Sequence, residues 1–343
     1  MVQTTLLGNQ PQPDIKEQLK VFLEEWNSDS PTVGVQTSGS TGIPKQMQVE
    51  KERMRNSALL TCSFLGLQKG DTAFLCMPLR YIAGKMVVVR SLVAGLKLIA
   101  VQPSGHPLQG MKQPPVFAAM TPMQVYNSLS VPQERECLRH IRHLIIGGGA
   151  IDKTLADGLR DFPHCVWSTY GMTETLSHIA LRRLNGPEAT EWYTPFPSVK
   201  VSLSPQSTLV IEAPLVNPQV LTTHDVAELD AQGRFRILGR TDNIINTGGI
   251  KVQIEEVEER LKPGIEGDFA ITSVPDMRLG EAITLLYKSP QPEEAIASFC
   301  TTVLPPYWHP RHIYRVAQIP HTETGKISRA EAKKLAVECL HKQ

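Results

Sequence analysis

The sequence has no excess of charge of either sign, no closely spaced cysteine pair and no long apolar run. Its 343 residues carry 35 basic and 34 acidic side chains, so neither a nucleic acid nor an anionic membrane is an expected partner. The six cysteines lack C-x-x-C spacing, which argues against a zinc site and a disulfide framework. No segment approaches the roughly 18 apolar residues of a membrane span, and the N-terminus lacks the features of a signal peptide. We therefore expect a cytoplasmic protein that binds a small molecule, with its oligomeric state open and a homodimer included.

One segment, "QTSGSTGIPKQ", is instead unusually rich in small and hydroxyl-bearing residues. Such residue types wrap phosphates, although their spacing matches neither the Walker A pattern nor G-x-G-x-x-G. The candidate phosphate contacts are Thr37, Ser38, Gly39, Ser40, Thr41, Gly42 and Lys45. A strand over Thr32–Thr37 and a helix over Val49–Leu67 would flank this loop as in phosphate-binding proteins, and a flexible surface loop is the alternative.

From residue 32 to about 185, apolar strand-like runs alternate with helical patterns. This alternation predicts βαβ units, a mostly parallel sheet and therefore an α/β fold. Active sites in such sheets lie beyond the carboxyl ends of the strands. Three candidate loops are expected there: the phosphate loop, "GGGA" at residues 147–150 and "STYGMTE" at residues 168–174.

The pattern changes twice towards the C-terminus. Residues 199–240 alternate as β-hairpins and predict a small β-subdomain, whereas the last hundred or so residues mix helices and strands as an independent α+β domain does. We therefore expect a large domain over residues 1–240, a small domain over 241–343, and a hinge near "GRTD". Capping boxes are predicted at the first helix, by Asp14 with Glu17, and at the last helix, by Ser328 with Glu331.

Several single residues have the chemistry of a nucleotide site. Tyr170 could stack on a flat heterocycle, Thr173 could bind a phosphate, and Glu174 could hold Mg²⁺, although an ordinary turn with a capping threonine is the alternative. Asp225 could accept hydrogen bonds from a ribose diol, or be a turn residue. Lys326 precedes the last helix and could project into a cleft, or be an ordinary surface lysine.

Five motifs occur here in the order and relative positions found in the adenylate-forming superfamily, which includes acyl-CoA synthetases, luciferases and peptide-synthetase adenylation domains. They are "TSGSTGIPK", "YGMTE", "THD", "GRTDNIINTGGIKV" and "TGKISR", and the resemblance runs from about Thr32 to the C-terminus. It implies a large N-terminal domain and a mobile C-terminal domain. It also implies two half-reactions: a carboxylate and ATP give an acyl-adenylate and pyrophosphate, and the thiol of coenzyme A then displaces AMP.

The resemblance also implies a role for each matching residue. Lys326 would contact the attacking carboxylate and the α-phosphate, the glycine-rich loop would hold the β- and γ-phosphates, and Asp242 would be the hinge. Thr173 and Glu174 would contact the α-phosphate and Mg²⁺, and Gly248 and Gly249 would form the passage for the coenzyme A arm. The remaining ATP contacts would be Gly148, Gly149, Thr169, Tyr170, Gly171, Asp225 and Arg240.

The substrate side is most similar to short o-succinylbenzoate-CoA ligases of menaquinone synthesis. "PLRYIAGKMVVVRSLVAG" resembles their substrate segment, and "IIGGGAI" resembles their glycine loop, so Tyr81 and Gly147 are expected to line the acyl site. The second carboxylate of that substrate needs a cation, which Arg90 or Lys85 could supply, and a solvated charge at a helix edge is the alternative. A ligase for another aromatic or fatty acid and a non-catalytic nucleotide-binding module are the alternative functions.

Three features depart from the superfamily pattern. Gln46 stands where glycine usually follows Pro-Lys, and His224 interrupts the more frequent Thr-Gly-Asp. Only 36 residues precede Thr37, whereas typical relatives have well over a hundred there. A trimmed N-terminal subdomain is therefore expected.

Overall fold

The computed structural model describes residues 14–36, 46–149, 151–322 and 326–342. The helices are α1 Ile15–Asn27, α2 Lys51–Leu65, α3 Ile82–Ala94, α4 Pro122–Ser130, α5 Pro132–Arg139, α6 Lys153–Leu159, α7 Ile254–Leu261, α8 Glu293–Val303 and α9 Arg329–Leu340. The strands are β1 Thr32–Gln36, β2 Gln46–Glu50, β3 Thr72–Leu75, β4 Lys97–Ala100, β5 Phe117–Met120, β6 His143–Ile146, β7 Cys165–Gly171, β8 His178–Arg183, β9 Thr194–Pro195, β10 Lys200–Leu203, β11 Thr208–Ala213, β12 Asn217–Leu229, β13 Phe235–Arg240, β14 Ile244–Thr247, β15 Ile250–Gln253, β16 Asp268–Asp276, β17 Gly280–Lys288 and β18 His312–Arg315. Short 3₁₀ turns lie at Thr173–Thr175, Thr241–Asn243 and Pro306–Trp308.

The segment around the phosphate loop is a β-hairpin rather than a strand followed by a helix. β1 and β2 pair antiparallel, with Val35 opposite Met47, and α2 begins only at Lys51. The expectation of a strand, a loop and then a helix was therefore wrong. Met47 and Val49 alternate with polar neighbours, which is the period of a half-exposed strand. The two predicted capping boxes are also wrong, because Asp14 and Ser328 occupy the N-cap positions without side-chain hydrogen bonds.

The central sheet has seven strands in the order β4-β3-β5-β6-β7-β8-β9, and its first five strands are parallel. The predicted, mostly parallel sheet is confirmed. Along β3, Ala73 and Leu75 pack in a cluster with α2 and α3, whereas Phe74 packs with residues of α4, α5 and α6. Successive residues of a strand point to opposite faces, so helices cover both faces of this sheet. Its loops at the carboxyl ends of the strands therefore remain available for a ligand.

The β-subdomain predicted over residues 199–240 is a four-stranded antiparallel sheet in the order β10-β11-β12-β13. Pairing of β12 with β13 places Asp225 directly opposite Arg240. This register brings together two residues that lie fifteen positions apart in the chain.

The C-terminal region forms a five-stranded sheet with helices on both faces. β14, β15, β16 and β17 pair antiparallel, and β18 runs parallel to β17. On β17, Ile283 and Leu285 pack with α7 and α8, whereas Ala282 and Leu286 pack with α9. In the described part of the chain, neither of these two clusters contains a residue before Ile245. The division at residue 240 and the mobility of the two parts stay predictions. No helix in the described ranges is long and apolar enough to cross a membrane.

Candidate active site

The loops after β6 and β7 touch each other, because these strands are neighbours and parallel. A side chain at Gly147 would overlap the hydroxyl of Thr169, and one at Gly149 would crowd Pro122. Gly148 has φ +81°, a conformation that glycine adopts without strain. Gly147, Gly148, Gly149 and Thr169 thus lie together at the carboxyl edge of the sheet, where the sequence placed them.

A hydrogen-bonded network links this edge to the β-subdomain. The Tyr170 hydroxyl donates to Asp225 Oδ2 (2.5 Å), Arg240 Nη1 donates to Asp225 Oδ1 (2.8 Å), and Arg240 Nη2 donates to Asp242 Oδ2 (3.1 Å). Burial and the nearby Asp225 carboxylate raise the pKa of Tyr170 far above its ordinary value, so its hydroxyl stays a donor. Burial opposes the charge of Arg240, but Asp225 and Asp242 outweigh it and raise the pKa of the guanidinium. The network fixes a tyrosine ring beside a carboxylate and a guanidinium.

Lys326 lies within electrostatic range of this network. Its side chain is exposed, and its backbone N–H donates to Thr322 Oγ1 (3.2 Å). Desolvation and repulsion by Arg240 lower the pKa of Lys326, and attraction by Asp225 opposes that shift. The charges of Asp225 and Arg240 therefore both act on the Lys326 ammonium.

The segment that carries Lys326 is anchored by an ion pair that the sequence reasoning missed. Arg329 donates to both oxygens of Glu258 (2.6 and 2.7 Å), and the backbone N–H of Ile271 donates to Glu258 Oε1 (2.9 Å). Arg329 belongs to "TGKISR", so the motif contained the signal, whereas Glu258 is one of several acids on α7. This bidentate pair joins the start of α9 to α7 and β16.

Thr173 and Glu174 lie on the 3₁₀ turn after β7. Thr175, and not Thr173, makes the local capping bonds, with the backbone of Met172 and Ser177. The Glu174 side chain is exposed and forms no ion pair within the described residues. A free carboxylate of this kind suits Mg²⁺, which protein sites hold through one or two carboxylates alongside nucleotide phosphates.

Arg90 is buried, with 2% of its surface exposed, so it is no solvated charge at a helix edge. Its Nη2 donates to Ser177 Oγ (2.5 Å), and its buried Nε has no partner in the described part of the chain. Burial lowers the pKa of Arg90 to about 10. No carboxylate among the described residues pairs with this cation, so an anionic ligand is a fitting partner.

The other residues assigned to the substrate are engaged elsewhere. Lys85 Nζ donates to the Gly34 carbonyl (2.6 Å) and lies 3.4 Å from Glu25 Oε2, so its charge ties α3 to α1 and β1. Of the two candidate cations, Arg90 is therefore the one left for a substrate. Tyr81 precedes α3, bridges to Gln36 and lies under the Arg80 guanidinium.

Gly248 and Gly249 form the two-residue turn between β14 and β15, with φ values of +59° and +82°. Positive φ at both central positions is the geometry of a tight hairpin turn and explains the glycine pair. Asp242 accepts from Arg240 and lies 3.0 Å from His224 Nδ1. The phosphate-loop residues Thr37 to Gly42 and Lys45 lie outside the described residues.

The chain is similar to a family model, to curated proteins and to solved structures. A family model described as AMP-binding enzyme matches residues 3–212. The 2-succinylbenzoate–CoA ligase of Geobacillus kaustophilus is 26% identical over 339 residues, which cover 87% of this chain and 68% of that protein.

Two solved structures extend the comparison. An acyl-CoA synthetase (AMP-forming)/AMP-acid ligase II-like protein from Dyadobacter fermentans is 31% identical, with a TM-score of 0.64, and the match covers 97% of this chain and 96% of that one. The o-succinylbenzoate coenzyme A synthetase of Bacillus subtilis, solved with ATP and magnesium, is 21% identical, with a TM-score of 0.72 over 87% of this chain and 69% of that one. These likenesses confirm the expected α/β fold.

Proposed function

The chain belongs to the AMP-binding enzyme family, and we propose that it activates 2-succinylbenzoate with ATP and transfers the acyl group to coenzyme A. Several relatives carry the name 2-succinylbenzoate–CoA ligase, which supports this choice of acid. The free state of all six cysteines supports a reducing, cytoplasmic location.

The observation that carries the proposal is the hydrogen-bonded network of Tyr170, Asp225 and Arg240, whose charges act on Lys326. Asp225 has the acceptor oxygens that a ribose diol needs, and Tyr170 has a ring for the adenine. Lys326 would then contact the α-phosphate, where negative charge develops as the carboxylate attacks. A free carboxylate is a poor acylating agent because a nucleophile would have to displace oxide from it. An acyl-adenylate is a good one because AMP leaves readily.

The phosphates are assigned to the glycine-rich loop and to the carboxyl edge of the sheet. Thr37, Ser38, Gly39, Ser40, Thr41, Gly42 and Lys45 would hold the β- and γ-phosphates, and Gly148, Gly149, Thr169 and Gly171 would line the nucleotide. Thr173 would contact the α-phosphate, and Glu174 would hold Mg²⁺, which screens the repulsion between the two anionic reactants.

The second carboxylate of the acid is assigned to Arg90, and Tyr81 and Gly147 stay predicted residues of the acyl site. Arg90 is a buried cation without a carboxylate partner in the described chain, and 2-succinylbenzoate has a second carboxylate to offer. Lys85 remains a less suitable cation because Glu25 already pairs with it. After pyrophosphate leaves, rotation about Asp242 would bring Gly248 and Gly249 to the coenzyme A arm.

The test is mass-spectrometric detection of acyl-CoA after incubation with ATP, Mg²⁺, coenzyme A and a panel of acids. We expect product from 2-succinylbenzoate and little from benzoate or medium-chain fatty acids. Product from a monocarboxylate instead would favour a different ligase, and ATP binding without any product would favour a non-catalytic module.

Lys326→Ala separates the two half-reactions. We expect adenylate formation to slow by about 10²- to 10³-fold, the usual cost of removing a group that stabilises transition-state charge, with thioester formation from preformed acyl-adenylate unchanged. Lys334→Ala, at an exposed lysine on helix α9, which follows Lys326, is the control and should leave both steps intact. Equal losses in both steps would contradict the role assigned to Lys326.

A further inference from the structure

A chain of polar side chains links Arg90 on α3 to Thr61 on α2 through Ser177 and His178. Arg90 Nη2 donates to Ser177 Oγ (2.5 Å), and Ser177 Oγ lies 3.3 Å from His178 Nδ1. The other ring nitrogen, His178 Nε2, lies 3.0 Å from Thr61 Oγ1. Thr61 Oγ1 in turn donates to the Ser57 carbonyl (3.3 Å), one turn earlier on α2.

A count of protons and acceptors determines the direction of this chain. If His178 Nε2–H donates to Thr61, the Thr61 proton goes to Ser57 and the Ser177 proton goes to the bare Nδ1, so each proton has an acceptor. With the opposite tautomer, Nδ1–H and Arg90 would both donate to Ser177, whose own proton would have no acceptor among the described residues. Leaving a partly buried donor without a protein partner costs up to about 1–3 kcal/mol. The Nε2–H tautomer is therefore the one that the surroundings favour.

The environment also keeps the His178 ring uncharged. The ring is 7% exposed and packs against Phe196. Burial, with repulsion from Arg90, lowers the pKa of His178 well below its ordinary value. The charged or titratable groups next to this chain are Arg90 and Cys62, whose thiol donates to the Arg90 carbonyl. A neutral imidazole can accept from Ser177, and an imidazolium cannot.

We infer that His178 is a positioning residue for substrate selection: through Ser177 it directs a lone pair at Arg90 and so fixes the guanidinium for the second carboxylate of the acid. The inference rests on the proposed function. In this role, His178 does not contact the substrate. It controls how strongly the enzyme prefers a dicarboxylate over a monocarboxylate. Arg90 Nε is buried and has no hydrogen-bond partner among the described residues.

The first experiment measures the tautomer directly, in the full chain with ¹⁵N-labelled histidine. At pH 7 we expect the NMR spectrum to show a neutral His178 with a protonated Nε2 and an unprotonated Nδ1. A protonated Nδ1 or a charged ring would overturn the inference, whatever the substrate of the enzyme proves to be.

The second experiment compares His178→Leu with His178→Gln in steady-state kinetics. Gln has an acceptor for Ser177 and a donor for Thr61, whereas Leu has neither. We expect Leu to raise KM for 2-succinylbenzoate by about tenfold, the loss of one charge-assisted contact, with kcat and KM for ATP nearly unchanged and Gln recovering most of the loss. His143→Leu, at the start of β6, should behave like the unaltered chain.

A third variant separates positioning from packing. Ser177→Ala breaks the same chain one step nearer Arg90, so adding His178→Leu to it should cost no further rise in KM. Additive effects of the two substitutions, or equal losses for every substrate in His178→Leu, would overturn the inference and leave the proposed function intact. An unaltered chain that converts no dicarboxylate would overturn the proposed function, and the tautomer measurement would then decide the hydrogen-bond chain alone.

Discussion

Asp225 accepts two hydrogen bonds and is nearly buried, at 8% exposed. Its carboxylate therefore fixes the positions of both Tyr170 and Arg240. We expect its substitution to weaken nucleotide binding more than substitution of either partner. For Asp225→Asn we expect ATP to bind about 10- to 100-fold more weakly, since a hydrogen bond to a charged group contributes roughly 1.5–3 kcal/mol. Isothermal titration calorimetry measures this directly.

The control for that prediction lies on the same hairpin. Asp230 pairs with Arg234 beyond the end of β12 and touches none of the network. Asp230→Asn should leave ATP binding unchanged. Equal weakening by both substitutions would mean that Asp225 acts through the stability of the β-subdomain rather than through the nucleotide.

His178 should make stability depend on pH. Its pKa is lowered in the folded protein, so below the ordinary pKa of about 6.5 the unfolded chain takes up a proton that the folded chain refuses. Unfolding free energy is therefore fully retained above that pH and falls as the pH drops, by up to about 1.4 kcal/mol per pH unit for one group. His143 has a pKa shifted in the same direction and adds to the effect.

Denaturant unfolding between pH 7.5 and 5.5 tests this dependence. We expect the unfolding free energy of His178→Gln to depend less steeply on pH than that of the unaltered chain. The contribution of His143 should remain. An unchanged slope would show that His178 takes up its proton in the folded state.

At the scale of elements, the turn from β7 to β8 holds the site together. Gly171 pairs with His178 across a β-bulge, and a Cβ at Gly171 would overlap the carbonyl of Ser177 and the backbone of His178. Backbone atoms in a sheet cannot move aside as the end of a flexible side chain can. We expect Gly171→Ala to lower the unfolding free energy by about 3 kcal/mol, the upper end of overpacking costs, and to reduce activity.

Gly34→Ala is the matched control, because a Cβ there meets its nearest atoms at 3.6 Å in ordinary contact. Urea unfolding of both variants measures the difference. A Gly171→Ala variant as stable as Gly34→Ala would show that the β7–β8 turn relaxes freely.

At the scale of the whole molecule, polar contacts among the described residues join the C-terminal region to the rest. Lys262 at the end of α7 pairs with Asp152 at the start of α6, and Gln253 Nε2 donates to the Arg240 carbonyl (2.9 Å). A weak, exposed ion pair contributes about 0.2–1 kcal/mol and can break during a rotation. If this arrangement is the adenylate-forming one, the pair favours the first half-reaction.

Lys262→Ala should therefore slow adenylate formation relative to thioester formation by about 1.5- to 5-fold, the range of such a pair. The unfolding midpoint should stay unchanged. Single-turnover rates of the two half-reactions give the ratio, and Lys288→Ala, an exposed lysine at the end of β17, should not alter it. A ratio unchanged in Lys262→Ala would mean that the ion pair does not select an orientation.

The sequence by itself determined the parallel sheet, the β-subdomain and most helices, because the periods of two and 3.6 residues are local properties. It also determined the family, since its motifs keep their order. It failed at β2, whose last two residues, Val49 and Glu50, were assigned to the helix that follows, and at two helix caps, where the capping residue is present but its side chain makes no capping hydrogen bond. Such outcomes depend on the partner strand and on competing contacts, which a local pattern does not contain.

The tertiary structure alone decided which charges remain available for a ligand. Lys85 and Arg90 share one helix and look equivalent in sequence, yet Glu25 pairs with the first, and the second is buried without a carboxylate partner in the described chain. Ser177 lies 87 positions from Arg90, and Thr61 lies 117 from His178. The position of a charge relative to its neighbours depends on how the sheet and its helices pack, so only the folded chain shows how Arg90 is held.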